Sequence, residues 1–206
     1  MEAEGSPVTP ASGLVFVMSG PSGVGKDSVA RLLRQQGFPL GYCITATTRR
    51  PRPGEIHGVN YFFVGREEFE RMRRDDELLE YALVHENYYG IPRAQVRAGL
   101  RAGNDLLITV DVQGAATVRD KLPRAIGIFL APPSLDELMP RLASRGTETE
   151  SERALRFANA ERELRQVSAY DYCVVNYRDR LEETANEVRS IIVAERCRVV
   201  RRFVSL

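Results

Sequence analysis

The segment Gly20-Pro21-Ser22-Gly23-Val24-Gly25-Lys26 constrains this chain more than any other. Glycines at these spacings let the backbone curl so that successive N–H groups point inward at a phosphate, an approach a Cβ would obstruct. Before it, Leu14 to Met18 is a short apolar run without alternation, as expected of a parallel strand covered on both faces. After it, Val29, Leu32 and Leu33 recur at helical spacing until Gly37 and Pro39 stop the pattern. Strand, loop and helix together predict a phosphate-binding loop at a helix N-terminus.

The residue after the loop Lys is usually Ser or Thr, whose hydroxyl meets Mg²⁺; here it is Asp27, followed by Ser28. A carboxylate is a good ligand for a hard cation, so Asp27 is a metal candidate, directly or through water. Ser28 is the other, although a one-residue shift turns a helical side chain by about 100 degrees. Asp27 is also a favourable anion in a first helical turn, and the sequence leaves that reading open.

The same alternation of elements continues. Leu106 to Val110 reads as a buried strand followed by a helix, and Ile126 to Ala131 as another strand, with capping-box spacing at Ser134 and Glu137. Thr149 and Glu152 repeat that spacing before a long helix reaching about Gln166. Tyr172 to Val175 reads as a further strand, and Leu181, Ala185, Val188 and Ile192 mark a last helix. This order predicts an α/β fold, a parallel sheet flanked by helices.

Two stretches interrupt it. Residues 45–92 are rich in Arg, Tyr and Gly, with strand-like pieces at Asn60 to Val64 and Glu80 to Val84 and a helical candidate at Glu67 to Arg73. They predict an inserted subdomain. Residues at about 139–160 are charged around Gly146 and suit a lid. The expected organisation is a disordered tail at 1–12 and one domain at 13–206, its core formed by 13–44, 93–138 and 161–206.

Composition narrows the partners. Twenty-nine Lys and Arg against 28 Asp and Glu leave a net charge of +1, so no global field draws the chain to nucleic acid or membrane. Any anion site must be local. Cys43, Cys173 and Cys197 form no Cys-x-x-Cys pair, and His57 and His85 lack partners at ligand spacing. No signal-type segment opens the chain, and a reducing cytoplasm is the expected setting.

Thr47-Thr48-Arg49-Arg50-Pro51-Arg52-Pro53-Gly54-Glu55, Gly58-Val59-Asn60-Tyr61-Phe62-Phe63 and Asn87-Tyr88-Tyr89-Gly90 closely resemble the guanylate kinase signature. So do Asp111-Val112-Gln113-Gly114 and Arg145-Gly146-Thr147-Glu148-Thr149-Glu150. The resemblance runs from about Leu14 to the final helix. It implies the P-loop nucleoside monophosphate kinase fold, with the insert binding GMP and the lid closing over it. It also implies ATP-dependent phosphorylation of GMP, and of dGMP, to the diphosphate, with Mg²⁺, in a monomer or homodimer.

Position by position, the resemblance implies that Arg49, Arg52, Tyr61 and Tyr89 grip the acceptor phosphate. A bidentate guanidinium suits that task. Glu80 and Asp111 face the N1–H and N2 amino donors of guanine, with Thr45 near O6 and Gln113 in the same site. Gly20 to Ser28, Arg141 and Asn176 bind ATP, and Lys26, Arg49, Arg145 and Arg156 bear on the transferred phosphoryl. Two positions depart from the pattern: Ile91 replaces Ser or Thr, and Thr109 replaces an acidic residue.

Two other readings share the loop. A kinase of phosphorylated sugars, such as a ribose bisphosphate kinase, also tends to carry Asp after Lys but would not need the GMP-directed set. A non-catalytic guanylate-kinase-like interaction module generally loses the loop Lys or glycines, all of which are present here.

Overall fold

The first apolar run forms β1 (Val15–Ser19), whose five residues are all buried. In the computed structural model, which describes residues 13–84, 86–143, 150–204 and 206, β1 is the middle strand of a five-stranded parallel sheet. Its neighbours are β7 (Leu106–Thr109) and β8 (Ile126–Ala131), flanked by β2 (Gly41–Tyr42) and β9 (Tyr172–Val175), in the order β2-β7-β1-β8-β9. Register places Met18 beside Thr109 and Ser19 beside Phe129, so the strands end together at the phosphate loop.

Side chains alternate across this sheet. Phe16 and Met18 face α1 (Lys26–Gln35) and α7 (Leu181–Arg196), packing on Val29, Leu33, Val188 and Ile192. Val15 and Val17 face the other way, onto Val96 and Leu100 of α3 (Arg93–Arg101) and Ala115 and Val118 of α4 (Val112–Lys121). The sheet is therefore covered by helices on both faces, as its unbroken apolar strands predict.

Residues 46–92 build a second sheet in the order β4-β3-β6-β5: β3 (Ala46–Thr47), β4 (Phe62–Phe63), β5 (Leu78–Val84) and β6 (Asn87–Pro92). Its own core joins Ala46 and Leu78 to Phe69 of α2 (Arg66–Arg74). A register shift in β5 between Leu78 and Glu80 inserts one extra residue against β6. With that bulge Leu78 packs in the small core, while Leu79 joins the main core beside Ile91. Bulges re-aim side chains next to sites, and this one buries Glu80 as well (4% exposed).

α5 (Leu135–Ala143) begins with the predicted Ser134 cap, whose hydroxyl accepts from the Glu137 N–H at 3.2 Å. α6 (Glu150–Leu164) ends two residues before the expected Gln166 and passes into a 3₁₀ turn, Arg165–Ala169. β2, β3, β6 and α3 are additions to the elements read from the sequence. The tail at 1–12, His85, Thr149 and Arg145 lie outside the described residues.

Candidate active site

The phosphate loop follows β1 with Gly20, Gly23 and Gly25 at φ of 144°, 76° and 105°, backbone settings that favour glycine. Gly25 also has no room for a side chain, since a Cβ would lie 2.5 Å from Asn176 Nδ2. Pro21 and Val24 are buried, whereas Ser22 and Gly23 are open to solvent. Lys26 curls back over the loop and donates to the Gly20 and Pro21 carbonyls at 2.6 and 3.0 Å. Burial lowers its pKa, opposed by the charges of Asp27, Glu163 and Asp111.

Asn176, just past β9, is 5% exposed and committed within the fold. Its Nδ2 donates to the Val24 carbonyl at 2.7 Å and its Oδ1 accepts from the Thr184 hydroxyl at 2.9 Å. Arg141 donates to the Asn176 carbonyl with both terminal nitrogens, at 3.2 and 3.3 Å. These two residues therefore brace the loop, Asn176 from the end of β9 and Arg141 from α5.

Across a cleft of about 630 Å³ stands a basic and aromatic cluster on the second sheet and its loops. Arg49 forms an ion pair with Glu55 at 2.8 Å and lies 5.3 Å above the Tyr61 ring. Glu55 also accepts from the Arg52 N–H at 2.7 Å, and its carboxyl is held below the ordinary carboxylate range chiefly by the Arg49 hydrogen bond. The Tyr61 and Tyr89 rings meet edge to face at 6.1 Å. Burial pushes the Tyr61 hydroxyl up to about 12, so it stays a donor at neutral pH. Arg52 is exposed at the cleft rim.

The floor is acidic. Asp111 caps α4, its Oδ1 accepting from the Gly114 N–H at 2.7 Å. Glu80 lies against the same turn, where a Cβ on Gly114 would stand 2.7 Å from its Oε1. Burial, and next the charge of Asp111, raise the Glu80 carboxyl to about 8, with Lys121 opposing. Lys121 donates to the Leu79 carbonyl at 2.6 Å.

The structure thus gathers Ser22, Lys26, Asp27, Thr45, Arg49, Arg52, Tyr61, Glu80, Tyr89 and Asp111 around one cleft. Ser28, one residue further along α1, is half-buried and its N–H donates to the Gly25 carbonyl at 3.0 Å. Gln113 is exposed on the first turn of α4 and does not line the cleft, and Arg156 is half-buried on α6. Ile91 is fully buried among Val15, Val17 and Leu79. A branched apolar side chain suits that place, whereas Thr45 and Thr109 line the cleft.

Several contributors escaped the sequence reading. Glu55 was legible only as part of a motif, and its role in fixing Arg49 becomes visible once the turn closes. Glu163 lies 137 positions beyond Lys26 in the chain yet is electrostatically coupled to it; its carboxyl is raised by burial, with Lys26 and the Ser22 N–H opposing. Gly114, like Glu55, was legible only as part of a motif, and Thr184 carries no sequence signal of its own.

A phosphate loop after the central strand of a parallel sheet, facing an arginine and tyrosine cluster, defines a P-loop phosphotransferase. The guanylate kinase family model matches residues 12–195. The chain is 46% identical over 189 residues to a guanylate kinase of Caldanaerobacter subterraneus subsp. tengcongensis, spanning 92% of this chain and 91% of that one. Against a guanylate kinase of Desulfitobacterium hafniense it is 45% identical over 190 residues, covering 92% and 94%. The crystal structure of guanylate kinase from Anaplasma phagocytophilum matches with a TM-score of 0.72 at 31% identity, covering 94% and 90%. The chain belongs to the guanylate kinase family. Among the described residues, no helix is long and apolar enough to cross a membrane.

Proposed function

We propose that the protein transfers the γ-phosphoryl group of ATP to GMP, yielding ADP and GDP, with dGMP accepted through the same contacts. The observation that carries this reading is the convergence, on one cleft, of the Lys26 loop with Arg49, Arg52, Tyr61 and Tyr89 above an acidic floor. Residues 45–92 receive GMP and residues at about 139–160 close over the phosphates, bringing Arg145 and Arg156 to the moving charge.

The acceptor phosphate carries a second pKa near 6, so at neutral pH its oxygen is already a nucleophile and no protein base is needed. It attacks the γ-phosphorus as the bond to the β–γ bridging oxygen breaks, and ADP leaves. Catalysis then consists of positioning and charge stabilisation. Lys26 and the loop amides hold the donor, while Arg49, Arg52, Tyr61 and Tyr89 orient the acceptor. Asp111 and Glu80 accept from guanine N1–H and N2, donors that adenine does not present on that edge. Arg141 and Asn176 serve through the loop they brace.

Asp27, an oxygen donor at the cleft wall with no hydrogen bond or ion pair among the described residues, fits a hard cation. With Ser28 it would hold Mg²⁺, which supplies neutralisation of the β- and γ-phosphate charge. A cytoplasmic monomer or homodimer, with its three cysteines free, completes the reading.

The test is a coupled assay of ADP production from ATP with GMP, AMP or a ribose monophosphate as acceptor. GMP should stimulate turnover far above the other two. ADP release that GMP does not stimulate, or that the sugar phosphate stimulates more, overturns the assignment.

A further inference from the structure

P-loop phosphotransferases generally hold their divalent ion from two sides: a hydroxyl follows the loop Lys, and a carboxylate ends a neighbouring strand. In this chain both positions depart from that rule, in opposite senses. The residue after Lys26 is the carboxylate, Asp27, and the residue that ends the neighbouring strand is the hydroxyl, Thr109. β7 lies directly beside β1, and Thr109 pairs with Met18, two residues before the first loop glycine. Asp27 and Thr109 both line the cleft, and neither side chain has a hydrogen bond or ion pair among the described residues. Asp27 is exposed on the cleft wall, one residue after Lys26.

We infer that Asp27 and Thr109 are an exchanged metal-ligand pair, the carboxylate contributed from the helix and the hydroxyl from the strand end, directly or through one water. The inference deepens the kinase reading and rests on it. It gives Thr109 a task and explains why the two departures occur together. Each single reversion upsets the charge around the polyphosphate. Asp27→Ser leaves two hydroxyls and no carboxylate, whereas Thr109→Asp adds a second carboxylate close to Asp111. Both reversions together restore one of each. If Asp27 were only a stabilising anion in a first helical turn, the two positions would act independently.

Mn²⁺ serves as the probe, followed by electron paramagnetic resonance in the presence of saturating β,γ-imido-ATP, for the wild type, Asp27→Ser, Thr109→Asp and the double variant. Asp27→Ser should weaken Mn²⁺ binding by roughly 10- to 100-fold. The double variant should return to within about threefold of the wild type, a strong departure from additivity. Thr109→Val, nearly isosteric and expected to fold, should weaken Mn²⁺ binding several-fold, and thermal unfolding checks each variant. A double variant that binds Mn²⁺ no better than Asp27→Ser, or a Thr109→Val that binds it as tightly as the wild type, overturns the inference. No GMP is present in these titrations, so a wild type that binds Mn²⁺ normally but transfers nothing to GMP refutes the kinase reading separately.

Discussion

Replacing Glu80 by Gln tests the acidic floor in two ways. The Glu80 carboxyl is raised to about 8 from an ordinary value of 4.5, first by burial and then by Asp111. Between those values the folded protein keeps the proton while the unfolded chain gives it up, so the native state is penalised as pH rises. At 1.36 kcal/mol per pKa unit, the penalty grows by about 3 kcal/mol from pH 5 to pH 7.5, and Glu80→Gln removes it. For a chain of this length that is a widening of roughly 6–12 °C in the gap between variant and wild-type Tm, the variant gaining. Function should move the other way. Guanine offers donors, so GMP binding requires the ionised carboxylate, and the wild-type KM for GMP should fall by up to about tenfold per unit as pH approaches 8. The Gln variant should lose that slope and carry a KM raised about 5- to 150-fold, for a lost contact of about 1–3 kcal/mol. Calorimetry across pH, with GMP kinetics above pH 6.5 where the phosphate is ionised, gives both readouts. Tm profiles of wild type and variant that stay parallel from pH 5 to 7.5 would refute the reasoning.

Gly114→Ala places a methyl 2.7 Å from Glu80 Oε1 and 3.1 Å from the Val110 Cβ. It should raise the KM for GMP several-fold and leave that for ATP unchanged; equal effects on both would argue against a base pocket at this turn. Asn176→Ala strands the buried Val24 carbonyl and leaves the Thr184 hydroxyl only its longer bond to the Arg180 carbonyl, which should cost about 2 kcal/mol in chemical denaturation. It should also raise the KM for ATP more than that for GMP, and a variant with unaltered ATP kinetics would end the bracing role.

The sequence was most legible where one local rule decides. The glycines of the loop, the period of Val29 to Leu33 and the apolar run at Ile126–Ala131 each specify an element without help from distant residues, and β8 has the expected bounds. Glu67 to Arg73 likewise lies within α2. β2 and β3 are two residues long and exist only through their partners, which no periodicity reveals, whereas β4 falls inside the strand-like piece read at Asn60 to Val64. β6 ends in Pro92, a residue that argues against a strand until the bulge opposite it in β5 is known. In the site, residue types were readable but convergence was not. Arg49 and Tyr89 share a cleft with Lys26 because two sheets meet, and the resemblance alone anticipated that. The amide of Asn176 reaches Val24 across 152 positions, so its bracing role has no local signature.

The bulged inner end of β5 has a mechanical consequence. Leu79 and Ile91 are embedded in the main core while Tyr81 and Leu83 stand in solvent, so the second sheet is bolted at one end and free at the other. Any swing of that sheet must pivot near Glu80, and the travel of each residue grows with its distance from the pivot. The base would then be held at the axle, almost stationary, while Arg52, carried beyond β3 toward the free end, sweeps a longer arc. Discrimination between bases and delivery of the phosphate would thus be decoupled by leverage, one belonging to the fixed end of the lever and the other to its moving tip.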